Sequence, residues 1–349
     1  MKIGKTLTTL LAATSLSIGL SGGAVAQQEQ AKKDLIPVNV GGPSAGYWNT
    51  YLAEQMGIYE KYGLKPTFHW FTSGAPLLAA LKSGSIDQVV TGLATVFAIG
   101  QNIPLKIVSW ELDNGQGEGL LAKDGSGVLS YKDIAKAKTI AAQPGTCSQV
   151  SLYIIAEKAG VKVSDLNVVN LAPPLFANAF ASRNSIDAAI GWAPYTIMQG
   201  PDVKVVSWDA DYGGVCPSVN AFRKDYVEKY PDVPIRMMQA HAEIMERVKQ
   251  DPSLAVKALE RYLQLTPEVA QRFYELHSGD KMPSFTQQLD PDSPYSLVAP
   301  QGGLAGQLYL ASQMLAKAGT IPQPLSWEVI NDSIDASYMQ KFVAQQQGK

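Results

Sequence analysis

Short apolar runs alternate with amphipathic stretches from residue 36 onward, and the two periods are easy to separate. Ile36-Pro37-Val38-Asn39-Val40 reads as a strand and the small residues Gly41-Gly42-Pro43-Ser44-Ala45-Gly46 as a loop. Tyr47, Trp48, Tyr51, Leu52 and Met56 then recur at 3.6-residue spacing, which predicts a helix stopped by Gly57. The unit repeats, with 67–71 extended, Ser73-Gly74-Ala75-Pro76 opening a helix, Lys82-Ser83-Gly84 as a turn and 86–90 as the next strand. Strands separated by helices in this manner predict an α/β fold with mostly parallel sheets.

The pattern occurs twice. Residues 71–92 align without gaps on residues 171–192, sharing loop, helix, polar turn, Ser-Ile-Asp (Asp87 and Asp187), a buried strand and a small-residue loop. Two α/β lobes with equivalent units follow, and in such sheets ligands bind beyond the carboxyl ends of the strands. The loops facing a shared cleft would be 41–46, 72–76, 92–95, 143–148 and 192–195. The Gly-rich break Asp124-Gly125-Ser126-Gly127 marks the start of the second lobe, giving 34–123 and 221–345 for one lobe and 124–220 for the other. From Arg223 the sequence is helical in pattern, over 233–250, 253–263, from Thr266-Pro267-Glu268, over 301–318 and 327–346, and these helices are expected to cover the first lobe.

The first 26 residues have a separate logic. Lys2 and Lys5 precede a modestly apolar stretch, and Ala24-Val25-Ala26 is an A-x-A cleavage site, so a cleavable signal peptide ending at Ala26 and a periplasmic mature chain are expected. Lys+Arg at 29 against Asp+Glu at 31 leaves no positive surplus for a nucleic-acid backbone. In an oxidising compartment the two cysteines, Cys147 and Cys216, become candidates for a bond, with two free buried thiols as the rival reading. His69, His241 and His277 have no metal-ligand spacing, and no metal or cofactor is expected.

Several stretches resemble one family, the periplasmic substrate-binding proteins of ABC importers for taurine, aliphatic sulfonates and nitrate. They are Met56 through Leu64 (MGIYEKYGL), Ser73-Gly74-Ala75 with Ala80 through Asp87, Val169-Asn170-Leu171-Ala172-Pro173-Pro174, Gly191-Trp192-Ala193-Pro194 and Arg223-Lys224-Asp225-Tyr226. The likeness runs in matching order over 38–234 and is nearest to the taurine-binding branch. It implies a two-lobed venus-flytrap fold, a small anionic ligand, a membrane permease with its ATPase as partners, no enzymatic activity, and a chain that acts as a monomer.

Arginine is scarce around the expected cleft, so an oxyanion would be held by hydroxyls and helix N-termini. Thr146, Cys147 and Ser148 open one such helix and Ser73 with Gly74 opens another; Ser44, Tyr47, Thr95, Trp192 and Ser218 complete the expected ligand-binding set. A Cys147–Cys216 bridge would pin the pocket floor. In the taurine-like pattern the returning strand carries an acid for the ligand's ammonium; Ser218 stands there, with Asp209 and Asp211 as the nearest acids, so a ligand with an uncharged tail is expected over taurine itself. A different small anion such as nitrate or a carboxylate is the alternative. Gly42-Pro43-Ser44-Ala45-Gly46 also matches the G-x-S-x-G hydrolase elbow, which leaves a secreted serine hydrolase using Ser44 as the enzymatic alternative.

Overall fold

The computed structural model describes residues 35–71, 74–182, 185–278 and 282–348; the expected signal peptide, 1–26, and Ser73 lie outside the described residues. Two five-stranded sheets form the frame. The first orders its strands β2-β1-β3-β10-β4, with β1 Ile36–Pro43, β2 Leu64–Phe71, β3 Gln88–Thr91, β4 Leu105–Asp113 and β10 Pro217–Arg223. The second orders them β7-β6-β8-β5-β9, with β5 Gly119–Lys123, β6 Ile140–Ala141, β7 Val168–Val169, β8 Ala188–Gly191 and β9 Val203–Trp208. In each sheet the fourth strand alone, β10 or β5, runs against the others. The mostly parallel expectation therefore holds by direction, and the two sheets share one topology.

The internal alignment has a structural counterpart. β3 and β8, which follow the two Ser-Ile-Asp turns, occupy the central position of their sheets. Each aspartate clasps the neighbouring parallel strand, within β1 for Asp87 and just before β6 for Asp187: Asp87 Oδ2 accepts from the Asn39 amide at 2.9 Å, and Asp187 Oδ2 from the Lys138 and Thr139 amides at 3.0 Å each. A carboxylate fixed on two donors holds adjacent strands in register. Asp87 additionally holds Asn39 Nδ2 at 2.8 Å.

Three expectations are displaced. Residues 41–43 continue β1 rather than forming a loop, because the glycines let neighbours close in: a Cβ on Gly41 would lie 2.8 Å from Leu77 Cδ1 and one on Gly42 2.8 Å from Val90 Cγ1. β5 belongs to the second sheet, so the chain crosses at 114–118 and not at 124–127, where Gly125 and Gly127 take positive φ in a turn between elements. The return crossing spans 209–216, and the two crossings are tied by the Asn114 amide donating to the Cys216 carbonyl at 3.0 Å. Finally, the C-terminal helices do not cover the first sheet alone. The helix Gly303–Lys317 packs against the helix Cys147–Ala159 of the second unit, and Thr320 Oγ1 donates to Gln149 Oε1 at 2.9 Å.

The helices themselves follow their pattern closely. Val233–Gln250 and Ser253–Leu263 have the expected limits, and Thr266 caps Pro267–Leu276 by accepting from the Val269 amide. The 327–346 stretch divides into Trp327–Ser333 and Ser337–Gln347. Behind the first sheet a buried polar network links Thr50, Glu111, Asn220 and His241, with Tyr59 Oη 2.7 Å from His241 Nε2. Burial pushes the His241 pKa down despite the nearby Glu111, which keeps the ring neutral and fits a structural role.

Candidate functional site

A cavity of about 40 Å³ lies where the carboxyl ends of the two sheets face each other. Tyr47, Gly74 and the 91–94 loop wall it from the first unit, Gln143, Thr146, Cys147 and Trp192 from the second, and Asn114 and Cys216 from the two crossings. No wall residue carries a formal charge. Hydrogen-bond donors are present instead. The helix Cys147–Ala159 begins at the cavity; its Gln149 and Val150 amides donate to the Thr146 carbonyl at 3.1 and 3.3 Å, which leaves those of Cys147 and Ser148 without a backbone acceptor among the described residues. Trp192 Nε1 is buried with no hydrogen-bond partner among the described residues, and so is the acceptor Asn114 Oδ1.

Cys147 and Cys216 are joined in a disulfide, with Cα atoms 5.4 Å apart. The bridge ties the first residue of that helix to the return crossing and forms part of the cavity wall. Behind it lies Glu118, whose carboxylate and the two sulfurs fall within 4.8 Å of one another.

The residues singled out in the sequence separate into walls and supports. Tyr47, Gly74, Thr146, Cys147 and Trp192 line the cavity. Thr146 Oγ1 donates to the Gln143 carbonyl at 2.7 Å, so its proton is already engaged in the loop. Ser148 is fully buried and is not among the walls; consecutive helical residues point about 100° apart, and it follows the one that faces the cavity. Thr95 is turned back to the Gly92 carbonyl at 3.0 Å, as a helix-start hydroxyl is. Ser218 stands behind the wall, accepting from Asn114 Nδ2 at 2.6 Å and donating to Tyr47 Oη at 3.4 Å.

Ser44 Oγ lies 3.1 Å from Tyr195 Oη, linking the two units at the rim; a phenol hydroxyl is no base for a hydrolytic serine, and burial keeps that phenol protonated by raising its pKa. The remaining aromatics serve the core: Trp110 meets Tyr295 edge-on and Trp48 meets Tyr274. Neither acid considered for an ammonium lies in the wall. Asp211 is exposed and accepts from the Trp208 amide at 2.8 Å, and Asp209 is buried with Ser151 as its donor.

Asn114 was not legible as a site residue, and Gln143 was legible only as a member of the cleft-facing loop 143–148. Asn114 sits in Asp-Asn-Gly, an ordinary turn signature; placing the crossing at 114–118 is the observation that would have exposed it.

Known proteins resemble the chain along most of its length. A protein of Brucella abortus (strain 2308), described by name as a binding protein, is 29% identical over 245 residues, 67% of this chain and 74% of that one. The taurine-binding periplasmic protein of Escherichia coli (strain K12) is 30% identical over 174 residues, 48% of this chain and 53% of its own length. Among solved structures, the periplasmic aliphatic sulphonate binding protein SsuA of Escherichia coli superposes with a TM-score of 0.67 at 21% identity, covering 84% of this chain and 91% of that one. The periplasmic nitrate-binding protein NrtA of Synechocystis PCC 6803 gives 0.69 at 13%, covering 90% and 89%. These likenesses fix the architecture as the periplasmic-binding-protein fold. Among the described residues no helix is long and apolar enough to cross a membrane. With residues 42–261 matching the family model, the chain belongs to the NMT1-like family.

Proposed function

We propose that the chain is the extracytoplasmic solute-binding component of an ABC importer. It is exported behind a signal peptide cleaved after Ala26, captures a small organic anion between its two lobes, and delivers it to a membrane permease. The ligand class is an aliphatic sulfonate or a related monoanion with an uncharged tail. The observation that carries the reading is the cavity itself: walls from both units, a helix N-terminus and an indole N–H as unsatisfied donors, and no charged side chain among them. Such a site suits an oxyanion of low proton affinity, which needs many neutral donors and no proton or counter-ion. Its three oxygens would be shared by the first-turn amides of Cys147–Ala159, Trp192 Nε1 and the Tyr47 hydroxyl.

The test is a thermal-shift screen on ligand-stripped protein with ethanesulfonate, nitrate, acetate and methylphosphonate. A cognate ligand at about 100 times its Kd stabilises the fold by about 2.7 kcal/mol. Stabilisation by the sulfonate that falls at least tenfold in affinity in Trp192→Phe is the expected outcome, because a hydrogen bond to a charged group contributes about 1.5–3 kcal/mol. Stabilisation by acetate or methylphosphonate alone, or by none of the four, overturns it.

A further inference from the structure

A directed chain of hydrogen bonds runs behind the cavity wall. Asn114 Nδ2 donates to Ser218 Oγ at 2.6 Å, and Ser218 Oγ in turn donates to Tyr47 Oη at 3.4 Å. Each member has its direction set by the one before, because an amide nitrogen can only donate. Two consequences follow at the cavity. Tyr47 receives a hydrogen bond on its oxygen and keeps its own proton for another acceptor. Asn114, with its nitrogen committed to Ser218, presents Oδ1, which has no partner among the described residues although the residue is only 4% exposed. Its backbone is held as firmly, the amide donating to Cys216 and the carbonyl accepting from Gly117 and Glu118 at 2.8 Å.

The cavity therefore carries unpartnered buried donors together with Asn114 Oδ1, a buried acceptor unpartnered among the described residues. We propose that Asn114 is the residue that selects the ligand's tail: Oδ1 accepts a hydrogen bond from a neutral donor, a hydroxyl, at the end of the ligand away from its anionic group. The inference rests on the small-anion reading given above and narrows it to hydroxyalkyl anions. A tail with no donor leaves Oδ1 buried and unpaired when the cleft is filled, which disfavours plain alkyl anions. An ammonium tail fits poorly for a separate reason. It brings a full charge to a site with no carboxylate among its described wall residues. The buried acid Glu118 lies beside the disulfide rather than in the cavity wall, and burial there raises its pKa.

Calorimetry on ligand-stripped protein with 2-hydroxyethanesulfonate, ethanesulfonate and taurine tests the assignment. The expected order is the hydroxylated sulfonate about tenfold tighter than ethanesulfonate, with taurine weaker than the hydroxylated sulfonate. In Asn114→Ala the ratio between the first two falls to about one. In Tyr47→Phe both weaken by a similar factor and the ratio persists, since the lost donor serves the anionic end. Equal affinities of the first two for the unaltered protein, a preference that survives Asn114→Ala, or taurine as the tightest ligand each overturn the inference. The unaltered protein's series decides the matter alone if Asn114→Ala does not fold. Absence of binding by all three sulfonates overturns the anion reading itself, and this proposal with it.

Discussion

Glu118 and Asp209 are buried side by side, joined through the Asp209 amide donating to the Glu118 carbonyl at 3.1 Å. Neither Glu118 carboxyl oxygen has a hydrogen-bond partner among the described residues, whereas Asp209 Oδ1 accepts from Ser151 at 3.2 Å. Burial is the largest influence on both and pushes both pKa values up; the Asp209 charge adds to the rise of Glu118, and the Asp113 charge to that of Asp209. Asp209 is raised from 3.8 to about 7, even though neighbouring hydroxyls of Tyr212 and Ser151 pull it down. A carboxyl raised on folding binds its proton more tightly in the native state, so its contribution to stability is full below the unfolded pKa and is lost as pH rises through the folded one. For Asp209 that window runs from about 4 to about 7. Asp209→Asn removes the ionisation while keeping an acceptor for Ser151. Relative to this variant, the unaltered protein should lose stability between pH 5 and pH 8, by at least the ~1.4 kcal/mol that one pKa unit represents. Urea titrations of the pair at both values check this, and parallel pH dependences would remove the buried acid from the account.

At the scale of elements, the helix Cys147–Ala159 carries three attachments that together place its N-terminus. The disulfide holds its first residue to the return crossing, Gln149 Oε1 accepts from the Gly145 amide at 2.8 Å, and the same oxygen accepts from Thr320 on the C-terminal side. The bridge closes a separation of 69 residues, for which the chain-entropy model gives about 4 kcal/mol. Replacing both cysteines by serine should lower stability by that order in denaturant melts, and a change under about 1 kcal/mol would mean the crossing is held without it. Elements of this kind were largely legible in the sequence. The Ser-Ile-Asp repeat pointed to two equivalent buried strands, which stand at the centres of their sheets, and Thr266-Pro267-Glu268 specified a helix start from local chemistry alone. What escaped were features decided by packing between distant segments. Gly41 and Gly42 read as loop residues but serve a strand that other side chains approach closely. The Gly-rich 124–127 turn outshone the true crossing at 114–118, whose residues look unremarkable until both sheets are assembled. The site was half legible for a related reason. Residue type marked Tyr47, Thr146, Cys147 and Trp192, but which hydroxyl of a helix start faces the cavity depends on a rotation of 100° per residue, and that separates Thr146 from Ser148.

On the scale of the whole molecule, the cavity takes its walls from both units, so the contacts that span the two sheets bear on how long a ligand stays. Ser44 and Tyr195 make one such contact at the rim, 3.1 Å apart, joining the end of β1 to the segment after β8. Tyr195→Phe deletes it and keeps the ring. A hydrogen bond of this kind contributes about 0.5–1.5 kcal/mol, so ligand affinity should fall between twofold and about tenfold. The loss should appear in the dissociation rate, because the bond forms after the ligand has entered and must break before it leaves. Stopped-flow release of the bound ligand measures the rate, and melting of ligand-free protein supplies the control. An unliganded melting temperature unchanged by Tyr195→Phe, with release accelerated, identifies a latch that acts on the closed state. A fall in the unliganded melting temperature as large as that of the liganded protein would instead make the bond a part of the fold's own stability.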